Sequence, residues 1–164
     1  MKVLKTVRGS GLIAAVTLDD KLYALRVAEE VDQIVVFSAA AGYAVLRQLT
    51  VPGLTTDRDS DVTSCVALKC LFISDACNNY LYRCIVGDDD QPATTTAFPT
   101  IDKPVALSVT PRNSLLVTLA INRVQEFGCD DFKLIRQVCL FVCGSVATVA
   151  RGCVHRSSPD WVWG

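Results

Sequence analysis

The sequence has 164 residues, of which 51% are hydrophobic and 20% are charged, a balance that excludes an intrinsically disordered chain and predicts one ordinary domain. Sixteen basic and seventeen acidic side chains leave a formal net charge of -1. No overall field therefore draws the protein to nucleic acid or to anionic lipid.

The strand-like runs and the gaps between them follow one another from residue 12 to residue 140. The predicted strands, in chain order, are residues 12–17, 21–27, 33–37, 44–51, 62–68, 71–75, 80–86, 105–110, 115–119, 123–127 and 133–140. Turn-forming pairs such as Asp19-Asp20, Pro52-Gly53 and Asn78-Asn79 occupy the gaps. No segment shows the apolar period of a helix, so the pattern predicts an all-β fold.

These runs repeat at a fixed spacing. Equivalent strands begin at Leu22, Leu71 and Leu115, which lie 49 and then 44 residues apart. A further apolar run precedes and another follows each of them, and the fourth runs of the first and third units share an apolar residue followed by Arg-Gln. Four short strands repeated about every 45 residues are typical of a β-propeller blade. A β-sandwich would accept the same strands but would not predict the repeat.

The repeat divides the chain into a partial propeller and a tail. We predict four-stranded antiparallel blades at residues 12–51, 62–100 and 105–140, which make residues 1–140 a partial propeller of about three blades. The stretch at residues 93–100 is rich in threonine and suits an outer edge strand. Residues 141–164 lack a strand at the expected spacing and are predicted to form an irregular tail.

Neither a membrane span nor a metal site is predicted. The least charged segment, residues 138–150, is shorter than the roughly 20 residues needed to cross a bilayer. The apolar run at residues 12–16 is shorter than the roughly 7 residues of a signal-peptide core, so we expect a cytoplasmic protein with reduced thiols. The eight cysteines form no Cys-x-x-Cys pair and the one histidine, His155, lies in the tail, so no metal, cofactor or catalytic residue is assigned.

The middle unit, residues 71–81, resembles the NHL repeat. Asp75 and Asn78 match the Asp that ends a strand and the Asn of the following turn in that family, while Asn79 and Tyr80 stand where it usually has His and Arg. The third unit is similar around Asn122. The resemblance spans residues 12–140 and implies a ring of six blades, of which about three are present here. It also implies a setting like that of tripartite-motif ubiquitin ligases, although the sequence has no RING or B-box zinc pattern.

The functional prediction is a non-catalytic module that binds a protein partner. Loops on a rigid scaffold commonly carry binding residues, and we expect residues 28–33 and 57–61 to present side chains on one face. An open half-ring would leave apolar blade faces free for self-association, as in one half of a two-chain ring.

Two alternatives stay open at this point. Some NHL propellers hold single-stranded RNA on a basic face, and for that alternative arginines would bind phosphates while tyrosines stack on bases. The candidate binding residues are Tyr80, Tyr82, Arg83, Arg112 and Arg123. Similar propellers also include calcium-dependent lactonases, for which Asp75 and Asn122 are the candidate ligands.

Overall fold

The computed structural model describes residues 11–27, 33–87, 94–139, 141–143 and 146–148. Within these residues every regular element is a strand, and twelve strands form three four-stranded antiparallel sheets whose strands follow chain order. Three sheets, rather than the two of a sandwich, follow one another along the chain. The predicted all-β fold of four-stranded antiparallel propeller blades is therefore confirmed. No described helix has the length and apolarity to span a bilayer.

Each sheet is one blade. Blade 1 contains β1 (Leu12–Leu18), β2 (Lys21–Arg26), β3 (Gln33–Ser38) and β4 (Ala44–Thr50). Blade 2 contains β5 (Val62–Cys65), β6 (Cys70–Asp75), β7 (Tyr80–Ile85) and β8 (Thr94–Pro99). Blade 3 contains β9 (Pro104–Val109), β10 (Ser114–Leu119), β11 (Arg123–Gly128) and β12 (Leu134–Cys139).

The tail was predicted to be irregular, but its described residues, 141–143 and 146–148, form strands. Two strands, β13 (Phe141–Cys143) and β14 (Val146–Thr148), pair in antiparallel register. Each has three residues, which is too short to produce the alternating pattern by which strands are recognised in a sequence.

Blades 1 and 2 pack face to face through alternate residues of their central strands. Leu25 of β2 and Val36 of β3 face Leu71 and Ile73 of β6, and all four are fully buried. Alternation places these side chains on one face because successive residues of a strand point to opposite sides of the sheet. The opposite face of blade 1 carries a smaller buried cluster of Ala24, Val35 and Phe37.

Blades 2 and 3 pack through aromatic rings. Phe132, in the turn before β12, meets Phe72 edge-on with ring centroids 5.7 Å apart and stacks on Phe98 at 5.0 Å. The guanidinium of Arg83 lies 5.6 Å from the centroid of the Phe132 ring. Edge-on, stacked and cation–π contacts each add to the apolar area that these rings bury.

The first strands of the blades lie next to one another, as the innermost strands of a propeller do. Strand β5 contacts both β1 and β9. Asp61, just before β5, accepts a hydrogen bond from the backbone N–H of Leu107 on β9 at 2.9 Å. This bond fixes the inner edge of blade 3 to the start of blade 2.

The outer strands of blades 1 and 3 carry the same β-bulge. In blade 1 the bulge leaves Leu46 without a direct partner on β3, and in blade 3 it leaves Ile135 without one on β11. A bulge bends and twists the strand that contains it, and such distortion discourages pairing between exposed edges. In both blades the bulged residue directly precedes the repeated Arg-Gln pair, so the sequence repeat marks the position of the same β-bulge.

Three thiols contribute to the contact between blades 2 and 3. Cys65 and Cys70 lie directly opposite each other on β5 and β6, and both share a buried cluster with Cys129. Burial, followed by the effect of the neighbouring Cys65, raises the pKa of Cys70 and of Cys129 to about 12. These thiols stay protonated at neutral pH and act as small apolar side chains.

The aromatic contact between blades 2 and 3 leads to a stability prediction. Phe72→Ala should lower the free energy of unfolding by about 3–5 kcal/mol, because it removes a fully buried ring and leaves a cavity against Phe132. The control is Ile135→Ala, which truncates an exposed residue whose strand propensity is similar to that of Phe72. It should change the free energy of unfolding by less than about 0.5 kcal/mol. Denaturant titration followed by circular dichroism measures both, and equal costs would contradict this account of the interface.

Candidate protein-binding surface

The loops of the three blades gather at two ends of the molecule because neighbouring strands run in opposite directions. One end holds the connections between blades, residues 51–61 and 100–103, together with the turns 76–79 and 120–122. We call this end the upper surface. The opposite, lower end holds the turns 19–20, 39–43, 66–69, 110–113 and 129–133.

Asp75 fixes the centre of the upper surface. One of its carboxylate oxygens accepts the backbone N–H groups of Cys77 and Asn78, at 3.1 and 2.9 Å. The other accepts the N–H of Thr55 and the amide of the Asn78 side chain, both at 3.0 Å. The turn between β6 and β7 is thereby fastened to the linker that leads from blade 1 into blade 2, and the Asp75 carboxylate is fully buried.

The loop at residues 57–61 is held in one conformation by its own side chains and by blade 3. Asp57 accepts the N–H of Asp59 at 2.9 Å. Lys103 donates from its Nζ to Asp59 at 2.6 Å and to Asp57 at 3.3 Å. Two acidic residues from the first interblade linker are therefore tied to a lysine of the second.

The charges of this loop stabilise one another. Burial disfavours ionisation of Asp57, but the Asp59 N–H and the Lys103 ammonium outweigh it and lower the pKa of the Asp57 carboxyl. Hydrogen bonding to Asp59, and then to Asp57, raises the pKa of Lys103. Burial and the nearby Asp57 raise the pKa of the Cys77 thiol, so this exposed cysteine is a weak nucleophile.

Two isoleucines project from the same end. The linker carries Ile101, which is 61% exposed, and the turn between β10 and β11 carries Ile121, which is 45% exposed. The turn is attached to the linker, since the N–H of Ala120 donates to the carbonyl of Lys103 at 2.9 Å. The exposure of these two isoleucines was not predicted from the sequence, because an isolated apolar residue resembles a core residue. One indication of it was present, since each isoleucine lies outside the predicted strands.

The structure directs two of the five predicted binding residues into contacts between blades. Tyr82 is buried between blades 1 and 2, and its hydroxyl donates to the carbonyl of Gly53 at 2.8 Å. Arg83 donates to the carbonyl of Cys129 at 3.2 Å, and also to that of Asp130, while it covers the Phe132 ring.

The other three predicted residues lie at opposite ends of the molecule. Tyr80 begins β7 and Arg123 begins β11, both next to the upper surface, whereas Arg112 lies in a turn of the lower end. The five residues therefore do not form one basic face. Of the two predicted binding loops, residues 57–61 belong to the upper surface, and residues 28–32 of the other lie outside the described residues.

Neither predicted calcium ligand is placed as a ligand. Asp75 uses both carboxylate oxygens to accept N–H groups, and Asn122 holds the left-handed turn position that follows β10, with φ of 57°. Across the described ranges, no group of three or more His, Cys, Asp or Glu side chains is arranged to hold a metal ion. The geometry at these residues is that of turns, where Asp and Asn are common.

Three face-packed antiparallel blades with adjacent inner strands define a portion of a β-propeller, and solved structures agree. The chain is similar to hydrazine synthase from Kuenenia stuttgartiensis, with a TM-score of 0.62 and 13% identity over 85% of this chain and 39% of that chain. The WD40 domain of Toxoplasma gondii coronin gives a TM-score of 0.58 and 10% identity over 80% of this chain and 36% of that one.

A third neighbour is the protein BBS1N, solved in complex with ARL6DN, with a TM-score of 0.56 and 14% identity over 85% of this chain and 43% of that chain. The chain thus spans less than half the length of these three neighbours. No protein-family model and no curated protein matches the sequence. The neighbours establish a propeller fold, and the closer resemblance to NHL repeats stays a prediction.

The role of Asp75 is open to a direct test. Asp75→Ala should lower the free energy of unfolding by about 3 kcal/mol, since it removes a fully buried carboxylate and leaves the several part-buried N–H donors that bind it without their acceptor. Asp75→Asn should cost less because one oxygen acceptor remains. Asp59→Ala, at an exposed carboxylate, serves as the control. Denaturant titration gives all three values, and an Asp75→Ala cost no larger than that of the control would refute the role.

The ion pairs of the 57–61 loop predict a pH dependence. Because folding lowers the pKa of Asp57, its contribution to stability is complete above the ordinary value of 3.8 and is lost as the pH falls through the lower folded value. The difference in Tm between the native sequence and Asp57→Asn should therefore be constant from about pH 5 to pH 9 and shrink below pH 3.8. Thermal unfolding at each pH measures it, and a difference that does not change in acid would contradict the pairing.

Proposed function

We propose that this chain is a non-catalytic protein-binding scaffold and that the upper surface contacts the partner. The observation that carries the proposal is the pair of exposed isoleucines, Ile101 and Ile121, on loops that hydrogen bonds fix in place. Exposed apolar side chains surrounded by charged and polar residues are typical of the centre of a protein interface.

The rigidity of the loops supports binding. Asp75 fastens one linker, and Lys103 ties that linker to the next, so the surface is formed before a partner arrives. A surface that is already ordered avoids the entropy cost of fixing loops on association. The charged rim, which includes Arg58 and Asp59, can select among partners by electrostatic complementarity.

The comparisons are consistent with such a role. BBS1N, one of the similar structures, was solved with a bound protein, ARL6DN. That neighbour shares only 14% identity, so it supports the propeller architecture and not a particular partner. Neither the RNA alternative nor the lactonase alternative gains support, because Tyr82 and Arg83 serve contacts between blades and Asp75 serves a turn.

The proposal is tested with two matched double variants. In one, Ile101→Asp and Ile121→Asp place charges on the upper surface. In the control, Val66→Asp and Leu68→Asp place the same charges on two exposed residues of the lower end. Proteins retained from an extract of the source cells by the immobilised native chain are identified, and the specific one is purified for titration calorimetry.

We expect the upper double variant to weaken binding by more than tenfold, as the loss of central apolar contacts commonly does. The lower double variant should bind like the native chain. Equal binding by both variants, or specific retention of RNA in place of a protein, would refute the proposal.

A further inference from the structure

The outer strand of blade 2 differs from the outer strands of its two neighbours. Strand β8 pairs with β7 along its whole length without a shift in register, whereas β4 and β12 each contain a bulge. Those two strands also carry an arginine, Arg47 or Arg136, while no charged residue occurs from residue 91 to residue 101. Bulges and edge charges are features that keep sheet edges from pairing with other chains. Strand β8 has neither of them.

The outer edge of β8 carries backbone groups that point away from the blade. The N–H of Thr100, just after β8, donates to the carbonyl of Asn79 at 2.8 Å. Successive residues of an antiparallel strand turn their backbone groups to opposite sides, so every second residue before Thr100 also bonds to β7. The N–H and C=O groups of Thr95 and Ala97 therefore face outward. Pro99, which has no N–H, occupies the next outward position, where a proline costs the sheet no hydrogen bond.

This edge is open and already ordered. Strand β8 is the last strand of its sheet, and none of the described strands pairs with its outer side. Its exposed residues are Thr94, Thr96, Ala97 and Pro99. The ring of Phe98 stacks on Phe132 of blade 3, with centroids 5.0 Å apart, and this contact holds the strand in place. The unpaired backbone groups are therefore presented in the extended conformation that another strand requires.

A second copy of β8 provides such a strand. Let two copies run antiparallel about a two-fold axis that passes beside Thr96. The N–H of Thr95 then meets the carbonyl of Ala97 of the other copy, and the N–H of Ala97 meets the carbonyl of Thr95. Every outward N–H of β8 finds an acceptor in this register, and Pro99 lies outside the shared ladder.

The side chains also suit this pairing. Thr96 lies opposite Thr96 of the other copy, and Thr94 lies opposite Phe98. Threonine pairs and aromatic–β-branched pairs both stabilise antiparallel sheets. Self-pairing of β4 or β12 would instead bring two arginines to the contact. The formal net charge of -1 leaves little long-range repulsion between two copies.

We propose that two copies of this chain form a two-fold dimer by antiparallel pairing of their β8 strands, which joins the two blade 2 sheets into one continuous sheet. The contact uses a strand edge and none of the loops of the upper surface, so it goes beyond the proposed function and fails independently of it. One shared ladder buries less surface than the roughly 1,200 Å² of a stable interface, so the association should be weak and reversible.

Sedimentation velocity of the full chain tests for the dimer. The average mass should rise towards that of a dimer over a series from about 1 to about 300 μM and should not rise beyond it, because a two-fold contact is closed. A single monomeric boundary throughout the series, or growth into larger species, would overturn the proposal.

A proline in the shared ladder tests the hydrogen bonds. Ala97→Pro removes an N–H that points away from β7, so the blade keeps all of its own bonds. It should weaken dimerisation by more than about tenfold, because each copy loses a bond to the other. Pro99→Ala changes the adjacent outward position, outside the ladder, and should associate like the native chain. Equal association of the two variants would contradict the pairing, and circular dichroism with thermal unfolding verifies that both are folded.

Opposite charges at the axis test the two-fold register. Thr96→Lys and Thr96→Glu each place like charges opposite one another and should each weaken the dimer by about tenfold. A mixture of the two should associate more strongly than either alone, since a lysine of one copy then meets a glutamate of the other.

The control for the charge test is the same pair of substitutions at Thr50, an exposed threonine of the outer strand of blade 1. Thr50→Lys and Thr50→Glu should associate like the native chain, separately and when mixed. A gain on mixing at Thr96 alone requires that this residue meets its own counterpart, which neither a partner peptide nor another edge would produce. No gain on mixing at Thr96 would overturn the proposal.

Discussion

The burial of each blade face against the next is the interaction on which the structure depends. A four-stranded antiparallel sheet has two faces, and a blade whose two faces are both apolar cannot be stable by itself in water. Blade 2 is the clearest case, because Leu71 and Ile73 face blade 1 while Phe72 faces blade 3, and all three are fully buried. The loops, the linkers and the surface they form are held in place only because these faces are paired.

The polar residues at the upper end also hold neighbouring parts of the blades together, through hydrogen bonds in place of apolar packing. A linker that runs from the outer strand of one blade to the inner strand of the next exposes backbone groups at a place that is partly closed to water. Asp75 and Asp61 satisfy such groups, Asp75 within blade 2 and its linker and Asp61 across to blade 3. Asp75, a candidate calcium ligand in the sequence, thus has a structural task.

A propeller fold hosts many unrelated functions, so function has to be argued from the surface that the fold presents. Here that surface combines fixed loops, exposed isoleucines and a paired acidic and basic rim.

The strand order, the four-stranded unit and the period could be predicted from the sequence because they depend on local alternation and on turn residues such as Asp75 and Asn78, which act within a few positions along the chain. The surroundings of Tyr82, Arg83 and Ile101 in the folded protein could not be predicted from the sequence. The guanidinium of Arg83 binds a carbonyl 46 positions away in the next blade, and the hydroxyl of Tyr82 binds a carbonyl 29 positions away. Only the packing of one blade on another brings those residues together, and that packing decides which side chains are left to bind.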